Sequence, residues 1–143
     1  MSKISFFYEG CKKPSFLVTG RVVTWLKQII SDYCFKTGDI SFILSTDSYL
    51  LDLNRKFLNH DYYTDVITFD YTENSTLSAD IFISLDTVED NAGKFDVSYD
   101  EELHRVMVHG ILHLMGFKDK TEIEMSMMRE AENKALEWLK NMK

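Results

Sequence analysis

The chain has only two cysteines and one proline among its 143 residues. Two thiols, Cys11 and Cys34, are too few for a disulfide framework, so reduced cysteines in a cytoplasmic protein are expected. With Pro14 alone and no Pro/Gly-rich tract, nothing reads as a linker. A single domain over residues 1–143 is therefore expected. No apolar run approaches the roughly 20 residues of a membrane-spanning helix. The opening residues reach Glu9 too soon for a secretory apolar region. Basic charge is also short: 16 Lys+Arg against 23 Asp+Glu give −7. That excludes a surface coated with cations for nucleic acid, but leaves room for a local basic patch. What is present is 45% hydrophobic residues with 13% aromatics, a globular composition that supports one core without staples.

Periodicity then gives the elements. Lys3 to Tyr8 reads as a strand. Thr19 to Phe35 places Val22, Val23, Leu26, Ile29, Ile30 and Tyr33 on one helical face, with Gly38 as its stop. Ile40 to Leu44 is a strand, and Asp47 caps a helix to about Leu58. Val66 to Tyr71 and Ala79 to Leu85 are strands joined by a hairpin-like loop. Asp86 with Glu89 caps a short helix to Lys94. Ser98 with Glu101 opens a helix to Met115 that Gly116 stops, and Thr121 with Glu124 opens the last one. In that last helix Met125, Met128, Ala131, Ala135 and Trp138 are expected inside, and Glu130, Glu132 and Lys134 outside. The order β-α-β-α-β-β-α-α-α predicts an α+β fold, with helices packed on a four-stranded mixed sheet.

Three of the four histidines fall between residues 104 and 113. His109 and His113 are four apart on a predicted helix, so both rings leave one face. This is a helix clip for a divalent metal. Gly116 allows a sharp turn, and Asp119 just beyond it can return a carboxylate toward the rings. Two nitrogens and one oxygen leave a fourth position for water, as in catalytic zinc sites. The expectation is a metal site on a C-terminal helix. His104 lies about 140° from His109 on the helical wheel and is left outside the set as an exposed residue. His60 reads as a solvated loop residue. Gly110 stands where a protease of the His-Glu-x-x-His type carries its general base, which argues against peptide hydrolysis.

The string His109-Gly-Ile-Leu-His113-Leu-Met-Gly116 resembles the signature of the YbeY family of rRNA maturation endoribonucleases. Thr64-Asp65-Val66-Ile67-Thr68-Phe69 and Ala79-Asp80-Ile81-Phe82-Ile83-Ser84 are similar to two further blocks of that family, and Leu53-Asn54 and Asp61 fit the segment before the first. The resemblance implies a cytoplasmic, metal-dependent hydrolase of single-stranded RNA. It implies work in maturation of the small-subunit rRNA 3′ end and in ribosome quality control. The implied partners are rRNA, the small ribosomal subunit and ribosome-associated proteins. The implied cofactor is one zinc ion per chain. The family's third histidine falls on Asp119, which makes the ligand set His109, His113 and Asp119 and opens the site to manganese or another divalent ion. The family's arginine before the Thr-Asp-Val block falls on Leu58, and Arg55, one turn earlier, is the expected substitute. Lys56, Lys118 and Lys120 are the basic groups expected to position RNA, and Tyr62 and Tyr63 read either as packing residues or as rings for base stacking. The competing expectations are a metal-dependent hydrolase of another bond and a non-catalytic ribosome-binding factor.

Overall fold

The β-branched and aromatic runs become strands, and the runs with apolar residues every three or four positions become helices. The computed structural model describes residues 2–59 and 64–142. Among them lie β1 (Ile4–Tyr8), α1 (Thr19–Asp32), β2 (Lys36–Ser45), α2 (Asp47–Phe57), β3 (Val66–Asp70), β4 (Thr76–Ser84), α3 (Leu85–Lys94), α4 (Tyr99–Leu114) and α5 (Glu122–Asn141). The order is the expected one, and the fold is α+β. The sheet is mixed, with strand order β1-β2-β4-β3. β1, β2 and β4 run parallel and β3 pairs antiparallel with β4. Asn74 and Ser75 close the β3–β4 hairpin with φ of 50° and 65°, the positive values that two-residue turns require.

Neighbouring residues of a strand face opposite ways. On one face Ile81 and Ile83 of β4 are fully buried, and α4 lies over them. Gly110 makes that approach possible, because a Cβ there would meet Ile81 Cδ1 at 3.2 Å. On the other face Phe82 stacks on Tyr49 of α2, with ring centroids 6.1 Å apart. Trp25 of α1 is fully buried and donates its indole N–H to the Ala135 carbonyl of α5 at 2.9 Å. The sheet, α1, α4 and α5 thus share one core.

Several local expectations are corrected. Gly38 does not stop α1. That helix ends at Asp32, and Cys34 makes the exit at φ 65°. Gly38 instead lies inside β2 at a register shift, where a Cβ would stand 2.5 Å from the Leu77 carbonyl oxygen. The caps move by one or two residues: Thr46, not Asp47, caps α2, and Ser84, not Asp86, caps α3. Asp47 and Asp86 brace the two helix starts against each other. The Asp47 carboxylate accepts from the Ser84 and Thr87 hydroxyls, and Asp86 accepts the Asp47 N–H at 3.0 Å. His104 is buried, not exposed, edge-on to Trp25 with centroids 5.8 Å apart. Position 104 shares the face of α4 that meets α1, and that face is apolar.

Two predictions follow from this packing. Gly38→Ala should destabilise the protein by about 2 kcal/mol, since the new methyl meets backbone that cannot yield. Urea unfolding measures it, and an unchanged midpoint would contradict the close approach. Burial lowers the His104 imidazole below its usual value, with Arg21 adding to it and the Asp100 charge and backbone hydrogen bond opposing. The unfolded chain therefore takes the proton first as pH falls through about 6.5, and native stability drops there. His104→Phe should flatten that loss between pH 8 and pH 5.5, measured by urea unfolding at each pH.

Candidate functional site

Glu102, Arg105 and His109 recur at three, four and seven residues along α4 and so share one face. Met125, Met128, Arg129 and Glu132 do the same on α5. The two faces meet with the start of β3 around a cavity of about 280 Å³, whose wall also includes Asp65, Val66 and Asp119.

Asp119 reaches the cavity because of how α4 ends. Gly116 takes φ 103°, and the N–H groups of Gly116 and Phe117 return to the carbonyls of His113 and Leu112. This 5→2 and 6→1 pair is a Schellman closure, for which glycine is the favoured residue. Thr121 and Glu124 then form the expected capping box of α5. The short connection is held at both ends, and Asp119 lies between them.

His109 is the centre of the cluster. Its Nδ1 lies 2.6 Å from Glu132 Oε2, and its Nε2 lies 3.4 Å from Asp119 Oδ2. Glu132 is buried and also accepts from Arg105 Nη1 at 3.0 Å, while Arg105 Nη2 reaches Asn133 Oδ1 at 2.9 Å. The hydrogen bond to Glu132 raises the His109 pKa above the ordinary imidazole value; burial opposes this, and the charges of Glu132, Asp119 and Asp65 add to it. Burial pushes the Glu132 carboxyl up, but the hydrogen bonds and charges of His109 and Arg105 outweigh it and hold it below the ordinary range. Glu102, two turns before His109, is raised mainly by burial.

A neutral His109 that gives Nδ1–H to Glu132 turns its Nε2 lone pair toward the Asp119 carboxylate. Two acceptors in that position need a proton or a cation between them. Ligand atoms bound tetrahedrally at about 2.0–2.2 Å stand about 3.4 Å apart. The observed 3.4 Å between Nε2 and Oδ2 has that value. A carboxylate on the far ring nitrogen is the usual support of a metal-binding histidine. His113 is exposed in the last turn of α4, without a hydrogen bond from its ring among the described residues. Among those residues no three His, Cys, Asp or Glu side chains are gathered tightly enough to hold an ion. His109 Nε2 and Asp119 Oδ2 thus form a pair of donor types suited to a divalent cation at a suitable spacing, and His113 stands one turn on along α4 without joining them.

The other expected residues fall outside the cavity wall. Arg55 and Lys56 are exposed in the last turn of α2, Lys118 lines an adjoining groove with Phe117 and Met127, and Lys120 is exposed. His60, Asp61, Tyr62 and Tyr63 lie outside the described residues. Glu132 is the main correction, since its charge predicts solvent; Met125 is the converse, predicted inside but exposed at the cavity edge. Glu132 occupies a stripe with Met128, Ala135 and Leu139, all buried, and that spacing was the available signal. Arg105 and Arg129 stand four residues before His109 and three before Glu132, and helical spacing marks both. Gly110 faces Ile81, so a glutamate there would enter the core and not the cavity.

The sequence model of the family described as Endoribonuclease YbeY matches residues 13–140. Proteins named Endoribonuclease YbeY are similar over most of the chain. That of Parabacteroides distasonis is 50% identical over 133 residues, 93% of this chain and 93% of its own. That of Porphyromonas gingivalis strain W83 is 48% identical over 141 residues, 98% of this chain and 92% of its own. The solution structure of a Thermotoga maritima protein superposes with a TM-score of 0.69 at 28% identity, covering 94% of this chain and 88% of that one.

Removing the buried carboxylate should be costly. Glu132→Ala leaves Arg105 buried without its anion and should lose about 3 kcal/mol. Glu132→Gln keeps a hydrogen-bond acceptor and should lose less. Urea unfolding of both variants measures this, and equal, small losses would contradict a charged partner role.

Proposed function

The chain belongs to the Endoribonuclease YbeY family, and from that membership and the cluster around His109 we propose that it is a metal-dependent endoribonuclease that cuts single-stranded RNA. The observation that carries the metal is the line Glu132–His109–Asp119, with its 2.6 Å and 3.4 Å separations. His109, Asp119 and His113 are the residues that would hold the ion, one zinc per chain, with manganese as the alternative for a site containing a carboxylate. When bound, the ion supplies Lewis acidity toward a phosphoryl oxygen.

The chain's own residues do the rest. Glu132 holds the His109 ring in one orientation and tautomer, so that Nε2 is the atom offered to the cavity. Arg105 balances the Glu132 charge. Val66, Met125 and Met128 give the cavity apolar wall, which strengthens the electrostatic contacts made inside it. Arg55, Lys56, Lys118 and Lys120 lie outside that wall and serve as outlying contacts to the RNA backbone. The net charge of −7 supports weak binding to bare RNA. It favours a protein that meets its substrate on a particle: rRNA of the small ribosomal subunit, in the cytoplasm, during 3′-end maturation and quality control. The packing of Gly110 against Ile81 disfavours the peptide-hydrolase alternative, because no base is available from that position.

The test is cleavage of single-stranded RNA from the small-subunit 3′ end, alone and on subunits. Cleavage should stop on chelation and return with zinc or manganese. His109→Ala, His113→Ala and Asp119→Ala should each lose at least about a hundredfold in rate, the scale of several kcal/mol of metal-assisted stabilisation. Cleavage indifferent to chelator, or full activity in His113→Ala, would contradict the reading.

A further inference from the structure

The cavity holds three cationic or potentially cationic side chains, and two are already engaged. His109 is bonded to Glu132 through Nδ1. Arg105, with a side chain 13% exposed, gives one guanidinium nitrogen to Glu132 and another to Asn133. Arg129 differs. Its side chain is 59% exposed at the cavity mouth, and its nearest anionic atom, Glu132 Oε1, is 3.8 Å away. That distance is too long for a hydrogen bond. At that separation, and with the arginine largely in solvent, the pair contributes little to stability. Among the described residues the Arg129 guanidinium donates no hydrogen bond, so its five N–H donors are unused at a residue that lines the cavity. The remaining charged groups of the wall are carboxylates: Asp65, Glu102, Asp119 and Glu132. An anion entering this cavity therefore meets Arg129 as the one cation of the wall whose donors are not engaged, among the described residues.

The position follows from the helix. Arg129 stands three residues before Glu132, on the same face of α5. The packing that directs Glu132 to His109 therefore directs Arg129 to the same opening, one turn nearer solvent. A planar fork of donors matches two oxygens of one phosphate.

We infer that Arg129 is a phosphate-binding residue of this site, taking a backbone phosphate of the single-stranded RNA at the cavity mouth beside the metal-binding cluster. The inference rests on the endoribonuclease reading above. It assigns the anion contact of the cavity to α5, not to the basic end of α2.

The experiment uses the full chain loaded with zinc. Binding of a single-stranded RNA oligonucleotide with 2′-O-methyl sugars, which resists attack by the 2′-oxygen, is followed by fluorescence anisotropy over a range of potassium chloride concentrations. Cleavage of the unmodified oligonucleotide is measured alongside. Arg129→Ala should weaken binding roughly tenfold, the scale of one charge-assisted hydrogen-bonded contact. The slope of log affinity against log salt should shrink by about 0.7, the value for one phosphate of a single strand. KM should rise with kcat largely kept, because the phosphate is held alike before and during reaction. Arg129→Lys should recover part of the affinity as a point charge. Lys134→Ala removes the same charge from an exposed site on the same helix, where Lys134 is 75% exposed, and should change neither affinity nor slope. All variants should melt near the wild-type temperature. An Arg129→Ala variant with wild-type affinity and slope, or a Lys134→Ala variant equally weakened, would overturn the inference while wild-type cleavage leaves the endoribonuclease reading standing. A wild-type protein that neither binds nor cuts RNA would remove both.

Discussion

A buried carboxylate must be matched by donors, and in this chain that requirement falls on Glu132. Its two oxygens take Arg105 at 3.0 Å and His109 at 2.6 Å, both from α4. A charge in that position tolerates no slippage between α4 and α5, because a shift of one turn would strand it. The rest of the core is arranged to keep the two helices in register. Gly110 lets α4 settle on Ile81 of the central strands. Trp25 and Arg21 of α1 fasten the later part of α5 through the carbonyls of Ala135 and Leu139. The sheet thus carries α4, α4 carries the histidine, and α5 brings the carboxylate that orients it.

The same constraint explains why the connection between the helices is so tightly specified. The Schellman closure at Gly116 and the capping box at Thr121 satisfy backbone groups at both ends of the turn. Between these two closed ends lies Asp119, with its carboxylate 3.4 Å from His109 Nε2. The chain therefore builds its donor pair from local helix-ending rules and one long-range carboxylate. His113, the third ligand of the proposed metal site, costs nothing extra in fold, since the helix already places it one turn on from His109. Two helix-ending motifs and one long-range carboxylate thus converge on the two nitrogens of one ring.

Much of this was legible in the sequence, and the failures have identifiable causes. The element order, the mixed four-stranded sheet, the capping box at Thr121 and the stop at Gly116 followed from periodicity and end signals, which act locally. The approach of Asp119 to His109 was also readable, because both flank the same short turn. Gly38 was misplaced because a glycine after a helix reads as a stop, whereas its real constraint is the Leu77 carbonyl, some forty positions away. Glu132 reads as solvent-exposed by its charge, although its position lies on a buried stripe. Only the partner helix shows that the charge is matched. His104 failed for the same reason, since its burial depends on Trp25 of α1. Helical spacing places each of the cavity's arginines on a face, but only the packing of α4 on α5 brings Arg105 and Arg129 to one wall.

Metal binding by His109 depends on which of its ring nitrogens carries the proton. Long-range nitrogen–proton correlation NMR of the histidine rings, on labelled protein loaded with zinc, reads this directly. His109 should show a protonated Nδ1 and a proton-free Nε2, with the Nδ1 proton shifted downfield by its bond to Glu132. A ring protonated at Nε2 with a bare Nδ1 would contradict it, since Glu132 would then face a lone pair and Asp119 would have no ion to share.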